Sequence, residues 1–179
     1  MTDIKFTLQE NDFLQLNLYY FKSQGKLSKA ILKTWIAYCI IIGLLVVYLI
    51  WTKDTTMAVF LIITSAIISL FHKRRMKNVY LKKINKSIKV YESRFNKETE
   101  LKVTDSELHV KSDAGNTSLS LHQIESISET ADYFFIKLKT EAIVIPKLQM
   151  EYPDTIATEL KKLAEGLAVP FHKDLNWQW

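Results

Sequence analysis

Residues 34–51, TWIAYCIIIGLLVVYLIW, and residues 55–71, TTMAVFLIITSAIISLF, carry no charged side chain. As α-helices they would span about 27 Å and about 26 Å at about 1.5 Å per residue, which approaches the hydrocarbon thickness of a bilayer. Only the tripeptide TKD separates them, and its Asp54 is suited to cap the second helix. The two runs together predict a transmembrane helical hairpin over residues 30–71.

Two other interpretations of these apolar runs fit the sequence less well. A helical hairpin buried in a soluble core would normally carry a polar stripe on each helix, and neither run has one. A cleaved signal peptide would start near the N-terminus, whereas the first run follows more than thirty residues that have strand and helix patterns of their own. The hairpin is therefore predicted to be a permanent anchor.

Basic residues predict the orientation of this hairpin. Four lysines lie within residues 22–33, just before the first run, and eight Lys and Arg residues lie within residues 72–91, whereas the connecting turn contains only Lys53. Because Lys and Arg accumulate on the cytoplasmic side of membrane helices, both chain ends are expected in the cytoplasm, next to a plasma membrane crossed twice. Aromatic rings suited to the two membrane interfaces stand near the ends of the first run: Trp35, Tyr38, Tyr48 and Trp51.

Residues 72–91 contain no acidic side chain, in a protein whose net charge is +5, so the rest of the chain is mildly acidic. These basic residues could bind anionic lipid headgroups, at about 1 kcal/mol each, or could serve only to orient the hairpin. Nucleic acid is not expected as a partner, because the acidic remainder offers no second basic surface. The candidate headgroup-contact residues are Lys73, Arg74, Arg75, Lys77, Lys82 and Lys83.

The same region predicts a basic amphipathic helical linker over residues 72–98. Apolar residues recur in it every three or four positions: Met76, Tyr80, Ile84, Ile88, Tyr91 and Phe95. This stripe could lie on the membrane, pair with a second copy, or pack on the N-terminal segment of the chain, which is the favoured alternative. It would then cover a partner helix.

The N-terminal segment, residues 1–29, predicts a cytoplasmic strand and an amphipathic helix. Ile4, Phe6 and Leu8 alternate as in a strand, and residues 7–10, TLQE, match a capping box that would begin the helix. Its apolar face consists of Phe13, Leu14, Leu16, Tyr20 and Phe21. This face needs a partner to cover it.

Residues 99–179 predict a small cytoplasmic α+β domain. Period-two alternation indicates strands near residues 101–103, 108–110, 119–121, 124–127, 133–138 and 142–145, with turn chemistry at residues 113–116. Pro153 and Asp154 would begin a closing helix that ends near Gly166. The predicted fold class is thus a membrane α-helical hairpin plus a small α+β domain of antiparallel strands with a closing C-terminal helix.

The strand near residues 133–139 has two different faces, because side chains alternate along it. Phe134, Ile136 and Leu138 are predicted to face the core. Tyr133 and Phe135 lie on the other face with two lysines, which is either solvated or a contact surface. They are the candidate interaction face, and Phe135→Asp is expected to be tolerated where Phe134→Asp is not.

The tail, residues 169–179, contains three aromatic residues, which is more apolar area than a free tail should expose. Trp177 and Trp179 could dock on the protein's own surface or at the inner membrane interface, where tryptophan is favoured. Docking on the protein is the slightly favoured alternative. Pro170 allows either, because it prevents the preceding helix from continuing smoothly.

No pattern of catalytic chemistry is present. The chain has no nucleophile-elbow or metalloprotease motif, only four glycines for phosphate-binding loops, and four scattered histidines. A channel or transporter is also disfavoured, because neither apolar run contains an intramembrane charge. Ser65 and Ser69 at small-residue spacing instead predict helix packing, against Gly43. No catalytic residue, metal or cofactor is therefore expected.

Four stretches carry a resemblance to a known family: residues 103–110, VTDSELHV; residues 124–127, IESI; residues 132–135, DYFF; and residues 143–147, IVIPK. Over most of its length the chain resembles the YcxB-like proteins of bacteria. Members often have Trp where this chain has Leu121, and an aromatic residue at Met150. Both replacements stay apolar, so they affect packing detail. The resemblance implies a C-terminal domain similar to small pleckstrin-homology (PH)-like modules and implies no particular activity.

The sequence thus predicts a non-enzymatic protein of the bacterial plasma membrane, whose cytoplasmic domain, residues 99–179, is an interaction or regulatory module. The alternative is a sensor of anionic lipid or stress that reads headgroups through the basic residues. Expected partners are membrane lipids, and either a protein partner or a second copy of the chain.

Overall fold

The computed structural model describes residues 2–104, 106–112 and 115–179. Contacts divide the chain into two compact units, which we call the sheet module (Met1–Asn17 and Ser87–Trp179) and the helical unit (Leu18–Lys86). The elements follow in the order β1 (Thr2–Leu8), α1 (Glu10–Ser23), α2 (Lys26–Trp51), α3 (Thr55–Ile88), β2 (Lys97–Val103), β3 (Glu107–Ser112), β4 (Gly115–Ser120), β5 (Ile124–Glu129), β6 (Tyr133–Leu138), β7 (Ala142–Pro146), α4 (Pro153–Gly166) and β8 (Phe171–Lys173).

The described strands of the sheet module form two four-stranded sheets, in the orders β1-β2-β3-β4 and β7-β6-β5-β8. All pairings are antiparallel except that of β5 with β8, which is parallel. The predicted strands and the closing helix are confirmed, because their apolar alternation matches the buried faces of β2 to β7. In the predicted turn at residues 113–116, Asp113 and Ala114 lie outside the described residues.

The strand β1 joins the sheet of the C-terminal region, although α1, α2 and α3 separate it from β2 in sequence. Ile4 lies opposite Leu101 and Phe6 lies opposite Thr99, so that both apolar side chains of β1 point into the core. The compact units therefore do not follow the predicted segments 1–29, 30–71, 72–98 and 99–179, since long-range strand pairing is invisible to local patterns. The compartment of each segment stays a prediction.

The core of the module lies between the two sheets and α4. Phe134 and Ile136 from β6 and Leu101 from β2 are fully buried there. The helix α4 contributes Leu160 and Ala164, which are four residues apart and so lie on one face. A single apolar core thus holds both sheets to the helix.

In the helical unit, α2 and α3 run antiparallel. The Trp35 indole N–H donates a hydrogen bond to the Ser69 hydroxyl, over 3.0 Å, and the Tyr38 hydroxyl donates one to the Ser65 carbonyl oxygen, over 3.2 Å. The Asp54 carboxylate caps α3 by accepting a hydrogen bond from the Met57 N–H, over 3.2 Å, as predicted. Both helices are long and apolar enough to cross a membrane.

Two local predictions are wrong. The capping box at residues 7–10 is displaced, because Thr7 belongs to β1 and the Asp12 carboxylate instead accepts the Gln9 N–H at the start of α1. Gly43 does not meet the serines, since among the described residues only its chain neighbours and the backbone of its own helix can lie within 4 Å of a Cβ built on it. The helix α4 ends at Gly166, as predicted, and the left-handed residue that follows it is Ala168.

Candidate functional site

The predicted headgroup-contact residues divide between two faces of α3. Arg74, Arg75 and Lys82 line one shallow open groove together with Phe71, Asn78 and Val79. Their spacing places them on one side of the helix, because residues advance by about 100° each. This groove begins at Phe71, where the apolar part of α3 gives way to its basic part.

The other three predicted residues do not join this groove. By the same helical spacing, Lys73 and Lys77 lie on the side of α3 that carries the apolar stripe. The Lys83 ammonium lies 5.6 Å from the centroid of the Tyr80 ring, in a cation–π contact. The six residues therefore do not form one surface, and the structure brings only Arg74, Arg75 and Lys82 together.

The apolar stripe of residues 76–95 packs on α1, as predicted. In the helical unit the Phe21 and Tyr80 rings lie 4.9 Å apart. In the sheet module the Phe13 ring stacks on the Tyr91 ring, with centroids 5.4 Å apart and planes 6° from parallel. Each half of α1 therefore has an aromatic partner within its own unit.

The predicted interaction face of β6 is not exposed. Phe135 is fully buried and stacks on Tyr133, with ring centroids 5.7 Å apart. The Tyr133 hydroxyl donates a hydrogen bond of 3.1 Å to Asp12 and accepts one of 3.3 Å from the Asn11 amide. The expectation that Phe135→Asp would be tolerated is thus wrong, because the first turns of α1 lie against this face.

Tyr133 and Asp12 form a polar contact between α1 and β6. Burial raises the pKa of the Tyr133 phenol above its ordinary value of 10.0, and the neighbouring Asp12 carboxylate raises it further. The Asp12 side chain is itself buried and also accepts the Gln9 N–H over 2.7 Å. This one carboxylate therefore caps α1 and fastens it to the sheet.

A second buried carboxylate, Glu129 at the end of β5, was not singled out by the sequence. Its Oε1 accepts a hydrogen bond from the Lys147 ammonium over 2.8 Å, and its Oε2 lies 3.5 Å from the Lys173 ammonium. The Lys147 ammonium also lies 4.5 Å from the centroid of the Phe134 ring. Lys147 belongs to the IVIPK stretch and Phe134 to the DYFF stretch, so this cation–π contact joins the two stretches.

The tail docks on the sheet module, which confirms the favoured alternative for residues 169–179. Its β8 pairs with β5 in the register Ile127 to Phe171, Ser128 to His172 and Glu129 to Lys173. The Phe171 side chain packs against the core. The tail therefore adds a fourth strand to the second sheet, alongside α4.

A cavity of about 160 Å³ opens at the end of the module where β3 meets β4. It is lined by apolar side chains of both sheets, including Phe6, Val110 and Val144, with Lys97 and Glu141 beside them. This volume is below the roughly 300 Å³ of small-molecule sites. Within the described ranges, no three His, Cys, Asp or Glu side chains are placed to share a metal ion.

Comparison with known proteins gives one match. Residues 103–163 match the family model described as YcxB-like protein. No match was found among the curated proteins or among the solved structures. The matched residues run from the end of β2 into α4 and contain all four stretches that carry the resemblance. The match thus confirms the resemblance to YcxB-like proteins over residues 103–163.

Proposed function

We propose that this chain is a two-pass membrane protein of the bacterial plasma membrane, and that its sheet module is a non-enzymatic interaction module on the cytoplasmic side. The proposal combines the exposed apolar surface of α2 and α3, the connectivity of the sheet module, and the chemistry of its buried polar groups. Each of these supports a different part of it.

The apolar surface of α2 and α3 supports a membrane location. In the most apolar 18 residues of α2 no residue is buried, and Leu44 exposes 66% of its surface. In water such a continuous apolar surface is unfavourable, at about 25 cal/mol per Å². A core helix of a soluble protein would be covered by other protein, whereas lipid tails would cover these helices.

The pairing of β1 with β2 supports the proposed two membrane crossings. These strands share seven register positions, from Thr2 opposite Val103 to Leu8 opposite Lys97, and both apolar helices lie between them in sequence. A single crossing would put the two strands on opposite sides of the membrane and break the sheet. Two crossings keep them together, and the basic flanks favour the cytoplasmic side.

The architecture of the module supports a PH-like arrangement. Two sheets, antiparallel except for the pairing of β5 with β8, enclose one core, and a C-terminal helix packs against β5. In this arrangement β1 comes from the N-terminal segment, and the hairpin is an insertion between the first and second strands. We therefore propose that the complete PH-like module includes β1, which lies outside the matched residues 103–163.

The buried polar groups of the module support a binding role rather than a catalytic one. Glu129 is paired with Lys147, and Asp12 accepts hydrogen bonds from Tyr133 and Gln9. Such paired groups hold elements together, so these two carboxylates are engaged in structural contacts. The module therefore presents surfaces rather than a reaction centre.

Topology reporters test the proposal. A reporter that is active only in the cytoplasm should be active after Trp179 and inactive when inserted at Lys53, and a periplasmic reporter should give the reverse. A fusion before Thr2 should behave as the one after Trp179. Equal activity of either reporter at Lys53 and Trp179 would contradict two crossings.

Recognition of anionic lipid headgroups is a second candidate function. It is favoured by the grouping of Arg74, Arg75 and Lys82 beside Phe71. In proteoliposomes, quenching of Trp35 by brominated lipids measures the preference for anionic over zwitterionic headgroups. Replacing these three residues by Gln should lower that preference about fivefold per charge. The control replaces the exposed Lys111, Lys139 and Lys162 by Gln, and an equal effect of both sets would leave only a role in topology.

A further inference from the structure

The tail occupies a groove with two walls. One wall is the edge of β5, to which β8 adds as a parallel strand. The other is α4, which contacts both β5 and β8. The pairing is extended at each end, because the Ile127 N–H donates to the Pro170 carbonyl oxygen over 3.0 Å and the Asp174 N–H donates to the Glu129 carbonyl oxygen over 2.8 Å. Without the tail, β5 would be the edge strand of its sheet.

Two side chains of the tail determine what the groove accepts. Phe171 packs against the module core, and Lys173 places its ammonium 3.5 Å from the buried Glu129 carboxylate. His172 between them is exposed. Because alternate residues of a strand face the same way, the groove contacts an aromatic side chain and, two positions later, a basic one.

The Glu129 carboxylate in the groove has a partner outside the tail. Glu129 keeps Lys147 as a partner at 2.8 Å, and Lys147 is held over the Phe134 ring. Removal of Lys173 would therefore leave a buried carboxylate with one oxygen still paired and the other facing the groove. In addition, the family match covers β5 and most of α4 but ends at residue 163, before the tail. Both walls thus belong largely to the matched segment, and the tail does not.

The ladder between the tail and β5 is short. Its strand has three residues, and it pairs with only the last three of the six residues of β5. His172, Lys173 and Asp174 are exposed. Ala168, which leads into the tail, has a φ of 54°, a left-handed conformation that costs a residue with a Cβ about 1 kcal/mol.

We propose that the groove between β5 and α4 is a peptide-binding site, and that residues 170–179 are an internal ligand that a partner protein displaces. The partner inserts an extended segment with an aromatic residue followed two positions later by Lys or Arg, and pairs with β5 by β-augmentation. The inference deepens the proposed role of the module as an interaction module. It does not depend on the membrane topology.

A partner segment has an advantage that a second copy of the chain lacks. The tail of another copy offers the same two anchors as the chain's own tail, which is already tethered at an effective concentration near the millimolar range. A partner strand that also pairs with the first half of β5, where the tail does not pair, would gain backbone hydrogen bonds that the tail lacks. Each added backbone hydrogen bond favours the partner over the tail.

The test uses a fluorescent peptide of residues 168–179, AVPFHKDLNWQW, and the detergent-solubilised protein. Protein that ends at Leu167 should bind this peptide at least about tenfold more tightly than the full chain, because no tethered tail competes. Peptides carrying Phe171→Ala or Lys173→Glu should lose binding. The matched control, His172→Ala, alters the exposed residue between the two anchors and should bind as the parent peptide does.

A second variant keeps the test decisive if truncation prevents folding. The full chain with Phe171→Ala and Lys173→Ala retains its length but loses both anchors, and should bind the parent peptide as the truncated protein does. A folded variant that ignores the peptide overturns the proposal, and so does failure of both variants to fold, since an indispensable strand cannot be exchanged. Tail exchange between copies, seen as a dimer by light scattering in place of peptide binding, would assign the groove to self-association instead. None of these results depends on the outcome of the topology reporters.

Discussion

The sheet module and the helical unit distribute their apolar and polar side chains in opposite ways. The module buries its apolar side chains and pairs the polar groups that it takes inside, as Glu129 with Lys147. The helical unit exposes its apolar side chains and directs polar ones between its helices, as Trp35 toward Ser69. Each pattern suits a different solvent, because polar groups need partners wherever water is excluded.

The largest expected effect on stability concerns the buried apolar residues of the module. Phe134→Asp and Phe135→Asp should each destabilise the module by about 4 kcal/mol or more, because both place an unpaired charge at a fully buried position. The control is Leu148→Asp, since Leu148 is 89% exposed. Thermal unfolding followed by circular dichroism measures all three, and a stable Phe135→Asp protein would mean that α1 does not cover this face of β6.

The next effect concerns the buried ion pair. Glu129→Ala should destabilise the module by about 3–5 kcal/mol, because the Lys147 ammonium would remain buried without its anion. Glu125→Ala is the matched control on the same strand, since Glu125 pairs with the partly exposed Lys137 and should contribute about 1 kcal/mol or less. If both variants lose the same free energy of unfolding in denaturant, burial of Glu129 does not increase its contribution to stability.

The Tyr133 phenol predicts a loss of stability in alkali. Its pKa is raised above 10.0 in the folded state, so the unfolded state loses this proton first as the pH rises. The stabilisation is complete below pH 10 and decreases above it. The free energy of unfolding should therefore decrease more steeply with increasing pH for the natural protein than for Tyr133→Phe. At neutral pH, Tyr133→Phe should itself lower this free energy by about 1–3 kcal/mol. Parallel curves would argue against a buried phenol.

The smallest effect concerns the left-handed residue that follows α4. Ala168→Gly should raise the stability by up to about 1 kcal/mol, because glycine adopts a φ of 54° without strain. Ala157→Gly, inside the same helix, should lower it by about 1 kcal/mol. The two changes are chemically identical and are expected to have opposite signs in the same melting experiment. Equal signs would contradict the left-handed conformation of Ala168.

Local periodicity was sufficient for most of the fold. The strands β2 to β7 alternate with period two, the helix that begins at Pro153 has its start signal in the sequence, and Asp54 caps α3 as its position suggested. The candidate headgroup residues were identified by charge alone, and helix geometry then separated Arg74, Arg75 and Lys82 from the rest.

The missed features all depend on contacts between distant residues. Phe135 looked solvated because Tyr133 and two lysines share its side of the strand, and only the approach of Asp12 from α1 shows that this side is covered. Glu129 looked like an ordinary surface acid, since its partners Lys147 and Lys173 are far along the chain. No local pattern contains that information.

The most direct test of the account concerns the pairing of β1 with β2 around the helical unit. Lys5 lies opposite Glu100, and Glu100 lies opposite Lys111 on the next strand. Opposed residues of antiparallel strands have Cα atoms about 5 Å apart, within disulfide reach, whereas positions two strands apart are about 10 Å apart and out of reach. All cysteine variants carry Cys39→Ser.

Oxidation of the purified protein should cross-link Lys5→Cys to Glu100→Cys within one chain, and should leave Lys5→Cys with Lys111→Cys reduced. This result would show that one sheet is completed by strands from before and after the apolar helices, as the proposed two crossings require. If the first pair stays reduced, or if both pairs cross-link equally, β1 does not pair with β2 in this register and the account is wrong.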